Sequence, residues 1–180
     1  MKSAVNLVFF KIVYALSLAG VSIGFPWLGA IGLIGFGIWH YRTSKHAKVD
    51  FILVVIAVVI GTAVDTFNIH IGVLTYEAAW PSHNLAPFWI MVLWANFALI
   101  MNGALRWLQG RYLLAASIGA VIGPLGYTLG VKLGTASYAS DKLEFFITTG
   151  LTWAVALPLL LYIAEYLRQY SSNSAEVQYK

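Results

Sequence analysis

The sequence predicts an all-α polytopic membrane bundle of six transmembrane helices with both termini in the cytoplasm. Three observations predict it. Apolar runs long enough to cross a bilayer recur along the chain, charged residues make up only 10% of it, and basic connectors alternate with neutral or acidic ones. An ordinary soluble domain carries about 25% charged residues, and the mean hydropathy here is +0.78. One bundle accounts for the 180 residues, so a single domain is expected over residues 1–170, followed by a polar cytoplasmic tail over 171–180.

Six spans can be drawn, over 4–24, 26–41, 50–71, 86–106, 111–131 and 143–167. Most reach the ~20 residues that ~30 Å of hydrocarbon requires, and the second is the short one. The first has the charge and apolar run of a signal peptide, but it carries Asn6, Lys11 and Tyr14 and is followed at once by another apolar run. It therefore reads as a retained helix. The second and fifth are glycine-rich. Gly119-x-x-x-Gly123 and Gly126-x-x-x-Gly130-x-x-x-Gly134 place small residues on one stripe, where helices of the same chain or of a homo-oligomer can approach closely. Pro124 leaves a carbonyl of the fifth span without its helical donor.

Orientation follows from the connectors. Arg42, Lys45 and Lys48 fill the second, Arg106 and Arg111 the fourth, Lys2 precedes the first span and Arg168 follows the last. The other connectors hold Glu77 alone, or Lys132 with Asp141, Lys142 and Glu144. This alternation puts the basic ends, and both termini, in the cytoplasm. The formal charge of +4 is small and is not gathered into a basic block, so nucleic acid is not an expected partner. The absence of cysteine excludes disulfides and thiolate chemistry.

Asp65 is the residue on which a functional reading turns. It lies inside the third apolar run, where a carboxylate costs roughly 2.5–3.5 kcal/mol on insertion scales unless it faces the bundle interior. Asn68 shares its helix face, and a facing Asn96 on the fourth span is the other candidate to orient it. Above Asp65 the third connector carries Glu77, His83, Trp80 and two prolines. A deep carboxylate below a second acid and a histidine suits acid–base chemistry, which makes Asp65, Glu77 and His83 the candidate catalytic residues. Trp80, Trp89, Trp94 and Tyr127 are expected to wall a ligand pocket with Asn68 and Asn96. His70, His83 and an acid match no metal-binding spacing, and no P-loop, H-E-x-x-H or G-x-S-x-G motif is present, so neither metal nor cofactor is expected.

The order Asn6…Phe9-Phe10, Pro26-Trp27-Leu28-Gly29, Asp65…Gly72-Val73-Leu74, Ala86-Pro87-Phe88-Trp89-Ile90, Arg106-Trp107-Leu108-Gln109-Gly110-Arg111 and Gly119-Ala120…Gly123-Pro124-Leu125-Gly126-Tyr127 resembles an uncharacterised bacterial integral-membrane family. That family is a domain of unknown function found in gammaproteobacteria such as Vibrio and Shewanella, near lipid-modifying genes. The resemblance covers almost the whole chain and implies a small multi-pass protein of the bacterial inner membrane. The layout of an acid in a helix, a glycine, an aromatic loop and a Pro-aromatic helix start is also similar to that of membrane carotenoid cyclases and hydratases. Three functions are then expected in turn. The first and leading one, for a protein of unassigned activity, is binding or handling of a lipid, an isoprenoid or another apolar ligand in a pocket centred on Asp65, and the other two are alternatives to it. The second is an enzyme of fatty-acyl or isoprenoid modification, and the third a small transporter with two inverted three-helix halves. The sequence shows no residue-level repeat between such halves.

Overall fold

A computed structural model describes the backbone of residues 2–177 and the side chains of 3–172. Six helices follow one another: α1 (Lys2–Ser22), α2 (Leu28–Thr43), α3 (Ala47–His70), α4 (Phe88–Met101), α5 (Tyr112–Lys132) and α6 (Lys142–Val177). Two short strands, β1 (Leu74–Tyr76) and β2 (Ala136–Tyr138), follow α3 and α5, and a 3-10 turn spans Arg106–Leu108. Four of the helices, α1, α3, α5 and α6, are long and apolar enough to cross a membrane.

Two expected boundaries move. The fourth apolar run does not continue to residue 106, because α4 ends at Met101 after 14 residues. Asn6 of α1 is buried against the break, donating from Nδ2 to Leu99 O at 3.2 Å and accepting the Ala104 amide on Oδ1 at 3.2 Å. Gly103 makes this possible, since a Cβ there would lie 2.5 Å from Asn6 Oδ1. The last helix runs on through Val177, so residues 171–177 of the expected polar tail continue α6. Residues 178–180 of that expected tail lie outside the described residues.

The most apolar helix, α4, is central, packing against α1, α2, α3 and α6. α5 packs chiefly along α6, and the glycine stripes are spent on these contacts. A Cβ at Gly119 or Gly123 would run into Trp153 of α6, and one at Gly29 or Gly32 into Ser17 or Leu16 of α1. Pro124 leaves the carbonyl of Ala120 without its helical donor, and that oxygen faces Gly150 of α6. Between α1 and α5 the structure is open. Two hydrogen bonds bridge them: Tyr14 Oη to Gly126 O at 3.1 Å and Ser22 Oγ to Leu133 O at 2.9 Å.

The strands expose an internal duplication. β1 and β2 pair antiparallel, with Leu74 opposite Tyr138, Thr75 opposite Ser137 and Tyr76 opposite Ala136. Each strand is entered through a glycine in the left-handed region, Gly72 (φ 72°) or Gly134 (φ 71°), a conformation open chiefly to glycine. The shift in numbering that carries Gly72 onto Gly134 also carries Gly61 onto Gly123, Asp65 onto Tyr127, Thr66 onto Thr128 and Tyr76 onto Tyr138. The same shift maps the ladder onto itself, and it relates Glu77 N to Thr135 O (3.0 Å) with Ala139 N to Val73 O (3.1 Å). The following helices continue the relation: Trp94 of α4 lies over Gly61, and Trp153 of α6 lies over Gly123. The chain thus holds two α–β–α units, α3–β1–α4 and α5–β2–α6. Both run the same way about a two-fold axis, a partition distinct from the two inverted three-helix halves of the transporter alternative.

Both glycine contacts can be tested together. Gly61→Ala and Gly123→Ala should each destabilise the protein by about 1–3 kcal/mol by forcing an indole away from its helix. Gly35→Ala, on a part of α2 with open space around it, should be neutral or slightly stabilising. Thermal melting in detergent compares the three, and a Gly61→Ala protein as stable as Gly35→Ala would refute the packing role.

Candidate functional site

The buried stripe of α3 runs Leu53, Ala57, Gly61, Asp65 and Asn68, at helical spacing toward α4 and α6. Asp65 on this stripe has no exposed surface. Its carboxylate is surrounded by donors from three other elements. Tyr76 of β1 donates its hydroxyl to Oδ1 at 2.5 Å, Tyr127 of α5 donates to the same oxygen at 2.6 Å, and Trp94 of α4 donates Nε1 to Oδ2 at 2.6 Å. Gly61, one turn earlier, leaves the space in which the Trp94 indole lies.

A second ring of contacts fixes the donors. Trp153 stacks on Trp94 with centroids 4.8 Å apart and planes 16° from parallel, and its Nε1 donates to the Tyr127 hydroxyl at 3.2 Å. Phe145 meets Tyr127 edge-on at 6.5 Å, and Trp89 meets Tyr76 edge-on at 5.7 Å. Trp89 is itself held by donating Nε1 to the Glu77 carbonyl at 3.0 Å. Burial first, and the charge of Asp65 next, hold the Tyr76 phenol well above its ordinary value of 10.0, so it stays a proton donor.

This cluster forms one wall of a cavity of about 540 Å³. Phe10, Tyr14 and Leu18 of α1, Trp89, Leu93 and Phe97 of α4, and Trp153 and Leu157 of α6 are among the apolar and aromatic residues that complete it. Its volume lies in the ~300–1,000 Å³ range of small-molecule sites, and its chemistry is theirs: apolar walls with a few convergent polar groups.

The residues expected from sequence divide. Asp65, Trp89, Trp94 and Tyr127 come together at the cavity. Asn68 and Asn96 do not orient Asp65. Asn68 is fully buried with both amide atoms unpartnered, because three helical residues turn it ~60° away from the carboxylate. Asn96 lies two residues from Trp94, thus on the opposite side of α4, and donates to Phe10 O of α1 at 3.0 Å. Glu77 and His83 are exposed in the connector, and neither is bonded to Asp65. Trp80 is 59% exposed and meets Trp27 at a tilt and Phe88 edge-on outside the cavity. Among the described residues no three of His, Asp and Glu gather as a metal site would require.

Tyr76 and Trp153 were missed by sequence reasoning. The duplication relates both to residues of the other unit: Tyr76 repeats as Tyr138 in the sequence, and Trp153 lies over Gly123 as Trp94 lies over Gly61 in the structure. A second buried carboxylate was missed as well. Asp50 of α3 accepts from Ser44 Oγ at 2.7 Å and Asn102 Nδ2 at 2.8 Å and pairs with His40 Nε2 at 2.7 Å. Gln109 links Asn102 (2.8 Å) to Arg168 (3.1 Å), so this chain of contacts joins α2, α3, α4 and α6 at the basic end.

A family model described as protein of unknown function (DUF2878) matches residues 3–159, and the chain belongs to that family. No curated protein and no solved structure matches it.

Removing either phenol hydroxyl takes a donor from a buried carboxylate, at a cost of about 1–3 kcal/mol. Tyr127→Phe should cost more than Tyr76→Phe, because the Tyr127 hydroxyl also accepts from Trp153. Denaturation monitored by tryptophan emission ranks the two, and a Tyr127→Phe protein as stable as wild type would show that the bonds carry no structural weight.

Proposed function

We propose that this chain binds an apolar or amphipathic small molecule of the lipid or isoprenoid class in the cavity beside Asp65. The observation that carries the reading is a buried carboxylate, fixed by three donors, in the wall of an apolar cavity of about 540 Å³. An apolar cavity of that size favours a ligand whose own surface is mostly hydrocarbon. The carboxylate and the two phenol oxygens supply one polar point at which a hydroxyl or other donor can be oriented.

A second reading, an enzyme of fatty-acyl or isoprenoid modification, is favoured by one feature of the same cluster. Tyr76 and Tyr127 connect the carboxylate to proton-bearing groups in a cavity otherwise lined by hydrocarbon, which is what acid–base catalysis on a polyene or acyl chain needs. In this reading Asp65 acts through the two tyrosines.

The placement is a bacterial inner membrane crossed six times, with the Asp50 end cytoplasmic. Arg42, Lys45, Lys48, Arg106, Arg111 and Arg168 flank the helices at that end. α2 presents exposed Ile31, Ile34 and Ile38, a face suited to lipid. The chain has no cysteine, so single introduced thiols report topology. In intact cells, Ser82→Cys should react with an impermeant maleimide and Ser172→Cys only after permeabilisation. The opposite pattern would invert the topology.

Ligand binding is tested by extracting what copurifies with the protein. Wild type should retain about one lipid-class molecule per chain. Gly126→Leu, whose side chain would project into the cavity beside Tyr14, should lose it while melting normally. An identical complement of lipids in both would sink the proposal. The two readings separate in cells lacking the protein: if Asp65→Asn restores the lipid profile as wild type does, acid–base chemistry falls and binding remains.

A further inference from the structure

The binding reading says nothing of how a ligand reaches the cavity or which end of it is charged, and the lining residues address both. Four of them are exposed: Leu7 and Lys11 of α1, and Ile122 and Leu125 of α5. Every other lining residue is buried or half-buried, including all those from α4 and α6. The mouth of the cavity therefore lies between α1 and α5, the two helices joined by the Tyr14–Gly126 and Ser22–Leu133 hydrogen bonds. Leu7, Ile122 and Leu125 surround that mouth with hydrocarbon, so it opens sideways into the bilayer rather than into water.

Lys11 stands in this mouth, near the middle of α1 and about 13 Å from Lys2 along the helix. Among the described residues the ion pair is His40–Asp50, and Asp65 is bonded by Tyr76, Trp94 and Tyr127. Lys11 therefore has no carboxylate partner. An ammonium in an apolar span is costly, and it is retained there where it faces a counter-ion or a pathway. A cation at the mouth and hydrocarbon within are the complement of a single-chain anionic amphiphile.

Resting on the binding reading above, we infer that the ligand is such an amphiphile. It enters from the bilayer between α1 and α5, its carboxylate or phosphate is held by Lys11, and its chain lies along the aromatic wall toward Asp65. Lys11 binds the charged end, and the Asp65–Tyr76–Tyr127 cluster meets the chain deeper in.

Trp89, Trp94 and Trp153 line the cavity and make bound bromine detectable by quenching. The full-length protein in detergent, at mildly alkaline pH, is titrated with a brominated fatty acid, a brominated alkyl phosphate and the matching brominated alcohol. Wild type should bind both anions more tightly than the alcohol. Lys11→Gln should weaken the anions by about tenfold, the loss of one charge-assisted hydrogen bond. It should leave the alcohol unchanged, and Lys11→Arg should restore anion binding. The tighter anion identifies the headgroup as carboxylate or phosphate. If Lys11→Gln shifts acid and alcohol alike, or neither, the anionic headgroup is wrong while the cavity reading stands. If no brominated compound quenches wild type, the cavity reading fails and this inference with it.

Discussion

A carboxylate taken out of water must be solvated by something else, and Asp65 imposes that requirement on half of the molecule. Several kcal/mol of desolvation per buried ion have to be offset by hydrogen bonds of good geometry. None of the three donors belongs to α3. Tyr76 reaches Asp65 because the chain leaves α3 through Gly72 and doubles back as a strand. Trp94 reaches it because Gly61 lets α4 press its indole against α3. Tyr127 arrives from α5, which touches the cluster because Trp153 of α6 holds its hydroxyl from the other side. One charge thus fixes the positions of the strand pair, α4, α5 and α6 relative to α3.

The internal duplication explains why these groups meet. Two α–β–α units related by a two-fold axis bring equivalent positions face to face, and the axis passes between the stacked indoles of Trp94 and Trp153. The position occupied by Asp65 in one unit is occupied by Tyr127 in the other, and the two are hydrogen-bonded to each other. Two carboxylates there would repel in a medium of low dielectric, whereas an acid facing a phenol forms a donor–acceptor pair. The site is asymmetric for that reason even though its scaffold is nearly symmetric. α1 and α2 stand outside the duplication, and α1 supplies the wall that turns the space beside the axis into a cavity.

Much of this could be read from the sequence. The helical class, the order of the apolar segments and the importance of Asp65 follow from length, hydropathy and the cost of a charge in hydrocarbon. Of the four aromatics expected to wall a pocket, Trp89, Trp94 and Tyr127 line the cavity and Trp80 does not. Partner choice was harder. Helical spacing puts Asn68 on nearly the same face as Asp65, but a difference of ~60° keeps its amide off the carboxylate, and both amide atoms stay without a hydrogen-bond partner. The break of α4 at Met101 depends on Asn6, which is 93 residues away from Leu99 in sequence, a distance that local pattern cannot bridge. Between residues 51–80 and 113–142 the shift matches seven positions of 30, too few to stand out in a chain so rich in isoleucine, valine and glycine. The strand register, by contrast, shows the duplication at once.

The two buried carboxylates of α3 differ in what lies beside them. Asp50 has a donor on each oxygen and a histidine beside it, and its neighbours Asn102, Gln109 and Arg168 are bonded in series until the network has tied four helices together. Polar groups surround it and it does not line the cavity beside Asp65, and its bonds serve the packing of the helices. Asp65 is bonded with equal care, but it and both of its tyrosines also border the cavity. A group needed only to hold helices together gains nothing from an adjoining void, because the side chains around a void lose packing contacts. The space beside Asp65 is therefore a cost that the fold carries, and a ligand that fills it would recover the dispersion and burial that α1 and α5 forgo by standing apart.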